Sequence, residues 1–445
     1  GLEGAAELHA THVGWTAGDD GVIAPEVSWR GDFHHTPGKQ TVDSHLELGA
    51  LHLDLGPRDV DVSGLRDDTS IALKGDLADP TVALEDHMTV RGVQQDFAPE
   101  YPLGDVALHV TGDRETNGLI RLTDVAFQNR EAGTILGVSG NMQLGAGRHT
   151  LSLTTHLAQD LGRLTRAPER FTGHGSVTVD GTVLSPDLAQ LRIRASVKAA
   201  GVDVTVPRAG VEVRRVDGEV PVNVSLGLTK DGVELRHDES RSPYSTLRFT
   251  DQHPLLNRSG FLSIGSIKTP YVTIAPLVGN LAIEQRFISL QQFEMGVRGG
   301  TITGQMGLDW EGPKSTLELH VRATGVQSSH GEPFDGNIAV LVSAGDRTVQ
   351  GRAEILRIGE RHLLDLLDLQ DPTHADPAMN RIRTALLFGY PDRLRLSFDH
   401  GFLSARLELG GLARLVSISE IRGIPIGPLV DRMLQRPPDK PEGGR

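Results

Sequence analysis

The sequence predicts a mainly β protein, an elongated antiparallel sheet followed by a few C-terminal helices. From the N-terminus to about residue 358, apolar and polar residues alternate in short segments separated by Gly, Pro, Asp and Asn. Clear examples are Leu51–Leu55, Val106–Val110, Leu191–Val197 and Leu317–Val321. A period of two places the apolar side chains on one face of a strand and the charges on the other, which is typical of antiparallel sheets with one solvated face.

The second observation is a composition poor in the residues that fill compact cores. The 445 residues include 52 glycines and 24 prolines but only 12 Phe, 4 Tyr and 3 Trp. Glycine exceeds its usual share of about 7%, and aromatic rings are the normal anchors of a core. A chain of this length would ordinarily form two or three compact domains of roughly 100 to 200 residues each. The composition favours an extended architecture instead.

The third observation is an internal repeat. Ile71–Val82 aligns without gaps to Val177–Leu188 through the pattern h-x-h-x-G-x-h-x-x-P-x-h, in which h is apolar, and Met306–Leu317 is a looser copy. The pattern predicts a strand, a glycine that permits a kink, a proline that ends the pairing, and a new strand. Repeats that stack on their neighbours make elongated proteins.

Glycine-containing pairs predict the positions of tight turns. Asp19-Asp20-Gly21, Asp217-Gly218, Lys230-Asp231-Gly232 and Asp335-Gly336 carry residues that tolerate positive φ, as hairpin turns require. The apolar positions also change from even to odd numbers across Gly49-Ala50. A bulge or tight turn there would keep the apolar side chains on one face.

The period changes near residue 359. Five leucines on helical spacing predict a helix over residues 361–370, and a second helix over 377–388 has Asp376 as its N-cap, Pro377 at its first position and Gly389 past its end. Strands return from Leu394, and a short helix is predicted from Pro428. These signals divide the chain into a repetitive β region (1–358), a helix-plus-strand capping region (359–436) and a disordered tail (437–445).

The two predicted helices carry leucine stripes on one side, and we expect them to cap the last strand edge, because an open edge invites aggregation. Docking to a membrane or a partner is the alternative. Arg361, Arg381 and Arg383 would favour anionic headgroups in that case, although Asp365, Asp368 and Asp371 largely offset them.

Composition excludes several classes of function. A net charge of −14 disfavours binding to nucleic acid. The absence of cysteine excludes disulfides, thiolate metal sites and cysteine nucleophiles. No apolar run reaches the roughly 18 to 20 residues that span a bilayer, and no signal peptide opens the chain. The chain begins with Gly1 rather than Met, which indicates a processed or excised part of a longer protein.

Several motifs resemble those of the AsmA-like superfamily of bacterial envelope proteins, of the YdbH and TamB types. Phe293–Asp309 resembles the Gly-Gly hairpin of that superfamily, and the repeated unit resembles the strand unit of the TamB type. Asp371-Pro372, Asp376–Arg383 and Ile421–Leu429 are similar to the C-terminal region of YdbH-type members. The resemblance covers residues 260 to 436 best and the remainder by pattern only.

The resemblance implies a long, twisted, gutter-like sheet, a β-groove whose apolar face carries phospholipid acyl chains between the inner and outer membranes. The implied partners are phospholipid and the two membranes or their proteins, without nucleic acid. The implied location is the periplasm or cell envelope, with an N-terminal membrane helix that this chain lacks. The candidate groove-lining residues are Leu317, Leu319, Val321, Val340, Val342, Leu394, Leu396, Phe398, Leu407 and Leu409.

Two alternatives remain open at this point. Alternating strands also build β-sandwiches, in which case the chain would be a non-enzymatic scaffold or adhesin. An outer-membrane assembly factor of the same fold would need the same apolar groove as a lipid carrier.

No catalytic constellation emerges from the sequence. The 18 histidines are scattered, mostly on polar strand positions such as His52, His109 and His320. Glu85-Asp86-His87 are sequential residues of a strand, so their side chains cannot all converge. Motifs for a serine nucleophile, a phosphate loop or a His-Glu-x-x-His metal site are absent. We therefore predict a protein that is not an enzyme and holds neither a metal nor a cofactor.

Overall fold

Within the residues that it describes, a computed structural model of the protein shows a 24-stranded antiparallel sheet with two α-helices near the C-terminus. The described residues are 1–17, 20–55, 59–75, 80–95, 104–144, 149–164, 170–229, 232–235, 260–270, 272–285, 287–310, 315–327, 331–343, 348–399, 402–411 and 421–425. The predicted mainly β, antiparallel fold class with a few C-terminal helices is confirmed. All described strands belong to one sheet, whereas the β-sandwich alternative requires two.

The first half of the chain consists of strands of up to 17 residues. Their bounds are β1 (Leu2–Ala17), β2 (Asp20–Thr36), β3 (Lys39–Leu55), β4 (Asp59–Lys74), β5 (Thr81–Val90), β6 (Gly92–Gln95), β7 (Val106–Arg114), β8 (Leu119–Asn129), β9 (Thr134–Gln143), β10 (Thr150–Asp160), β11 (Thr172–Ser185) and β12 (Gln190–Val206).

The described residues of the second half add twelve strands and two helices. Their bounds are β13 (Val211–Thr229), β14 (Gly232–Leu235), β15 (Gly260–Lys268), β16 (Thr273–Glu284), β17 (Phe287–Val297), β18 (Gly300–Asp309), β19 (Thr316–Gln327), β20 (Pro333–Ser343), β21 (Thr348–Leu356), α1 (Glu360–Gln370), α2 (Pro377–Leu386), β22 (Pro391–Asp399), β23 (Phe402–Leu409) and β24 (Ile421–Pro425).

Most strands pair with the strand that follows them in the chain. The order departs from this at two places among the described strands. At the first, β5 and β6 both pair with β4, and β5 also pairs with β7. At the second, β14, β15 and β16 all pair with β13. Within the described residues β1 pairs with β2 and β24 with β23, which leaves the sheet open. Sequential antiparallel pairing needs only short connections, which explains why Gly, Pro and Asp recur between the strands.

Contacts divide the chain into two units. Unit 1 contains residues 1–208 and 221–237, and unit 2 contains residues 209–220 and 238–445. The division falls within β13, whereas the boundary predicted at residue 358 lies inside unit 2, where α1 begins two residues later. The tail predicted over 437–445 and the helix predicted from Pro428 lie outside the described residues.

The Gly-Gly hairpin of the family-like motif is present. Strands β17 and β18 are joined by Arg298 and Gly299, which have φ of 45° and 75°, and Val297 pairs with Gly300. Two successive residues with positive φ match the twist of a two-residue hairpin loop. The hairpin expected at this point is confirmed.

Two other predicted turns are wrong. Asp217-Gly218 lies inside β13 and Asp335-Gly336 inside β20, with all four residues paired to a neighbouring strand. A Cβ on Gly218 would come 2.3 Å from the Phe261 carbonyl oxygen, so this glycine permits a close approach of two strands. Extended pairing has overridden the local preference for a turn. The turns at residues 19 and 230–231 include residues outside the described part of the chain.

The repeat has a different structure in its two copies. Gly75 follows the end of β4, and β5 begins directly after Pro80. In the second copy Gly181 lies within β11, which continues to Ser185 and ends directly before Pro186. The proline therefore separates two strands in both copies, whereas the predicted glycine kink is wrong for Gly181. The break of the third copy, at residues 312–313, lies outside the described residues.

The irregularity predicted at Gly49-Ala50 is part of a line of distortions across β1 to β4. His12 in β1 has a φ of 56°, and Gly64, which faces Gly49 from β4, has a φ of 60°. Strand β3 continues through this point without a turn. Leu48 pairs with Leu65 and Leu51 with Val62, so apolar residues face apolar residues on both sides although the numbering parity changes.

Both helices are stabilised at their ends by aspartates. Asp376 is the N-cap of α2 and accepts a hydrogen bond from the Met379 N–H at 3.4 Å. Asp371, at the end of α1, accepts from the Ala375 and Asp376 N–H groups at 2.9 and 3.1 Å and from Arg383 Nη1 at 3.1 Å. Burial alone would raise the pKa of Asp371, but these hydrogen bonds and the Arg383 charge lower it.

The helices pack on a face of the sheet. A buried cluster joins α1 and α2 to the strands β22 and β23, and its members are Ile358, Leu363, Leu367, Met379, Ile382, Ala385, Leu386, Leu394, Leu407 and Leu409. This packing differs from the expected capping of a strand edge. The face of the sheet offers the leucines of the helices more apolar surface to pack against than a strand edge would.

Candidate functional site

The ten candidate groove-lining residues lie on one face of the sheet in unit 2. Leu317 pairs with Val342 and Leu319 with Val340 across β19 and β20. Leu394 pairs with Leu407 across β22 and β23. Directly opposed residues of an antiparallel pair project to the same face. We call this surface the apolar face of unit 2, and the ten candidates belong to it.

The apolar face of unit 2 continues over neighbouring strands that the sequence did not single out. Leu319 is flanked by Met306 of β18, and Val340 is flanked by Gly351, which in turn pairs with Phe398 of β22. A second row of this kind consists of Leu308, Leu317, Val342 and Val349. The alternation of apolar residues in β18 and β21 predicts that these positions lie on the apolar face.

Four of the ten candidates lie beneath the helices. Leu394, Leu407 and Leu409 are 6 to 7% exposed and belong to the core cluster under α1 and α2, and Leu396 packs against that cluster. These four residues are therefore occupied by the protein's own helices, which corrects the expectation that they line an open surface.

The other six candidates are half-buried and lie outside the core cluster. They are Leu317, Leu319, Val321, Val340, Val342 and Phe398. Neighbouring side chains of the same sheet shield their flanks, while their outer surfaces stay accessible, in contrast to Leu394. Contiguous apolar surface of this kind is rare on soluble proteins unless something binds it. That these six line a groove for lipid stays a prediction.

Unit 1 has an apolar face of its own. One row runs across six strands from β7 to β12 and consists of Leu108, Phe127, Leu136, Leu157, Val179 and Val197. All six side chains are half-buried. Sequence reasoning recognised the alternation of these strands but did not name this row as a site.

A polar cluster interrupts the apolar face of unit 1. Asp67 stands in a row between Leu46 and Met88. The Thr69 hydroxyl donates to Asp86 at 2.7 Å and lies 3.2 Å from Asp67 Oδ2. Burial, together with the nearby Asp86 charge, raises the pKa of Asp67. A carboxylate on an otherwise apolar face is costly to ionise, so this part of the face is poorly suited to a hydrocarbon chain.

Histidines occupy the opposite, polar face of unit 1, where several of them pair with aspartates. His45 lies 2.5 Å from Asp68, and His156 lies 2.6 Å from Asp180. The Asp68 hydrogen bond raises the pKa of His45 despite some desolvation. The imidazole of His156 lowers the pKa of Asp180. These cross-strand pairs support the strands. His45 and Asp68 also line a cavity of about 330 Å³.

The positions of His87 and its neighbours agree with the sequence argument. Asp86 belongs to the apolar face, whereas Glu85 and His87 project to the polar face. His87 contacts His109, with their Nδ1 atoms 3.2 Å apart. Within the described part of the chain, no group of three or more His, Asp or Glu side chains is placed to hold a metal ion.

A cavity of about 1060 Å³ lies over strands β17 to β23 in unit 2. Its side chains come largely from the polar face, and they include Arg322, Arg352, Arg395, Arg406 and Glu354. The strands β19, β21, β22 and β23 each contribute one of these arginines, from a position on the polar face. Sequence reasoning treated these positions as an ordinary solvated face and missed that they converge on one cavity.

Comparison of the chain with protein-family models, with characterised proteins and with solved structures gives no match. The likeness to AsmA-like proteins therefore rests on the quoted motifs and on the fold class. No helix of the described residues is long and apolar enough to cross a membrane.

Proposed function

We propose that the protein is a bridge-like lipid-transfer protein of the bacterial envelope, whose apolar face carries phospholipid acyl chains between the inner and outer membranes. The observation that carries the proposal is the half-buried row of apolar side chains from β18 to β21, with no second sheet among the described residues to cover it. The mechanism is passive and needs neither a cofactor nor a catalytic residue.

Hydrocarbon chains are the chemically matched occupants of such a face. Each methylene that leaves water for an apolar surface gains about 0.8 kcal/mol, so a fatty acyl chain gains several kcal/mol from even partial cover. The row offers aliphatic side chains without buried hydrogen-bond donors, which suits a ligand that cannot form directional contacts. A location in the periplasm follows from the same proposal, because the cargo must pass between two membranes.

Native mass spectrometry of the purified protein tests whether lipid is bound. A photocrosslinking side chain at Leu319, or at its cross-strand partner Val340, should capture phospholipid in cells. Leu341 is the matched control, because it is a half-buried leucine of the same strand that projects to the opposite face beside Glu318. Lipid capture at Leu319 and Val340 but not at Leu341 is the expected result.

The same experiment separates the competing functions. Absence of co-purified lipid, together with no lipid crosslink at Leu319, would overturn the proposal. Capture of unfolded polypeptide instead of lipid would favour an outer-membrane assembly factor that uses the same face.

A further inference from the structure

The cavity over the polar face of unit 2 carries an excess of positive charge. Its lining includes four arginines but only two glutamates, in a protein whose net charge is −14. A local excess of positive charge on a protein that is negative overall attracts anions to that place on the surface.

The arginines of the cavity fall into two groups. Arg395 is neutralised, since it contacts Glu354 and Glu408 at 3.1 Å each, and Arg393 also contacts Glu354 at 3.4 Å. Arg322 and Arg352, in contrast, form no salt bridge within the part of the chain that the structure describes, although the charge of Arg322 helps to lower the pKa of Asp335. Of the two glutamates that line the cavity, Glu354 is thus engaged by Arg393 and Arg395. Arg322 and Arg352 then face only the charge of Glu294 within the lining, which leaves an excess of positive charge.

The register brings Arg322 and Arg352 to the two sides of an open space. Arg322 of β19 pairs with Asn337 of β20, and Arg352 of β21 pairs with Ala339 of β20. Two strand spacings and two residue steps separate their Cα atoms by roughly 12 Å. The short side chains of Asn337 and Ala339 lie between them, so two long guanidinium side chains can reach one group from opposite sides.

We propose that this cavity binds a phosphate-bearing ligand, with Arg322 and Arg352 as a clamp on the phosphate oxygens. Guanidinium groups bind phosphate in a planar, bidentate geometry that lysine cannot reproduce. The Asn337 amide and the hydroxyls of Ser397 and Ser404 line the same cavity and add neutral hydrogen-bond donors. The phosphate can come from a free soluble compound or from a lipid headgroup.

The site is independent of the proposed lipid path, because Arg322 and Arg352 project from the face opposite to Val321 and Leu319. Failure of the crosslink at Leu319 would leave this site untouched. Failure of phosphate binding would, in turn, leave the apolar face untouched.

Calorimetric titrations of the whole chain in phosphate-free buffer test the proposal with three probes. Inorganic phosphate and glycerol phosphate represent the free source, and dihexanoyl phosphatidylglycerol below its micelle concentration represents the headgroup source. Arg322→Gln and Arg352→Gln should each weaken binding roughly tenfold or more, since each removes a charge-assisted pair of hydrogen bonds. Arg322→Lys should retain part of the affinity, because it keeps the charge but loses the fork.

Arg192→Gln and Arg194→Gln are matched controls, because both arginines are exposed on β12 of unit 1 and carry the same charge. They should leave the affinity unchanged. Binding of the lipid alone identifies a headgroup, and equal binding of glycerol phosphate identifies a free compound. The proposal is overturned if none of the three probes binds, or if the control variants weaken binding as much as Arg322→Gln.

Discussion

The packing of α2 on the apolar face can be tested with two neighbouring leucines. Leu386 is 3% exposed and belongs to the cluster with Leu394, Leu407 and Leu409, whereas Leu387, the next residue, is 76% exposed. Leu386→Ala removes three buried carbon groups, worth about 2.4 kcal/mol at 0.8 kcal/mol each. A residual cavity adds to this cost, so we expect a destabilisation of about 3 kcal/mol. Leu387→Ala should stay within about 0.5 kcal/mol.

Hydrogen exchange followed by mass spectrometry is the appropriate assay, because a chain of two units need not unfold in one step. Leu386→Ala should speed exchange in α2 and also in β22 and β23, since the helix and these strands share one core. Exchange in β1 to β5 of unit 1 should stay unchanged. The packing argument fails if Leu386→Ala loosens α2 without affecting β22 and β23, or if both variants behave alike.

Three electrostatic predictions follow from the pKa directions. Asp371→Ala should lower the thermal midpoint more than Asp368→Ala, because Asp371 is buried and Asp368 is half exposed. The contribution of Asp371 to stability is present above its unfolded pKa of 3.8 and should disappear as the pH falls through its lower folded pKa. The urea unfolding midpoints of the two variants should therefore converge in acid. His45→Gln should remove up to about 0.5 kcal/mol of stability, since the side chain is partly solvated. That contribution is full below pH 6.5 and is lost as the pH rises through the raised folded pKa of His45. The unfolding midpoints of the wild type and of His45→Gln should therefore differ at pH 5.5 and come closer at pH 8.5. An equal difference at both pH values would refute the prediction. Asp67→Asn should stabilise the protein at pH 7 by roughly 0.5 kcal/mol, because the raised pKa of Asp67 makes its ionised form unfavourable. The gain should vanish below pH 3.8, where urea midpoints of the wild type and the variant should coincide.

The elements that depend on local signals were predictable from the sequence. The helices α1 and α2 begin and end within two residues of the predicted bounds, because leucine spacing, the Asp376 cap and Pro377 act within one or two turns. The hairpin at Gly299 was equally local, since positive φ at the loop is a property of the residues themselves.

Elements that depend on pairing between distant residues were not predictable in the same way. Asp217-Gly218 and Asp335-Gly336 have the composition of turns, yet both lie inside strands, because β15 pairs with the first two residues and β21 with the second two. The cavity with Arg322 and Arg352 has the same origin. Each arginine is an ordinary polar position of its own strand, and only the register of β19, β20 and β21 brings the two together.

The polar cluster of unit 1 depends partly on a local sequence signal and partly on pairing between distant residues. Val82, Leu84, Asp86 and Met88 of β5 occupy successive positions of one face, so alternation alone places the Asp86 carboxylate among apolar side chains. Its neighbour Asp67 is brought to it only by the pairing of β4 with β5. The Thr69 hydroxyl contacts both carboxylates, and the charge of Asp86 adds to burial in raising the pKa of Asp67. Under the proposed lipid path, an acyl chain that crosses unit 1 would meet a barrier here, because the carboxylates must give up water when hydrocarbon covers them. Replacing Asp67 with Asn lowers that barrier, so the variant should co-purify with more lipid than the wild type if the apolar face of unit 1 is part of the path.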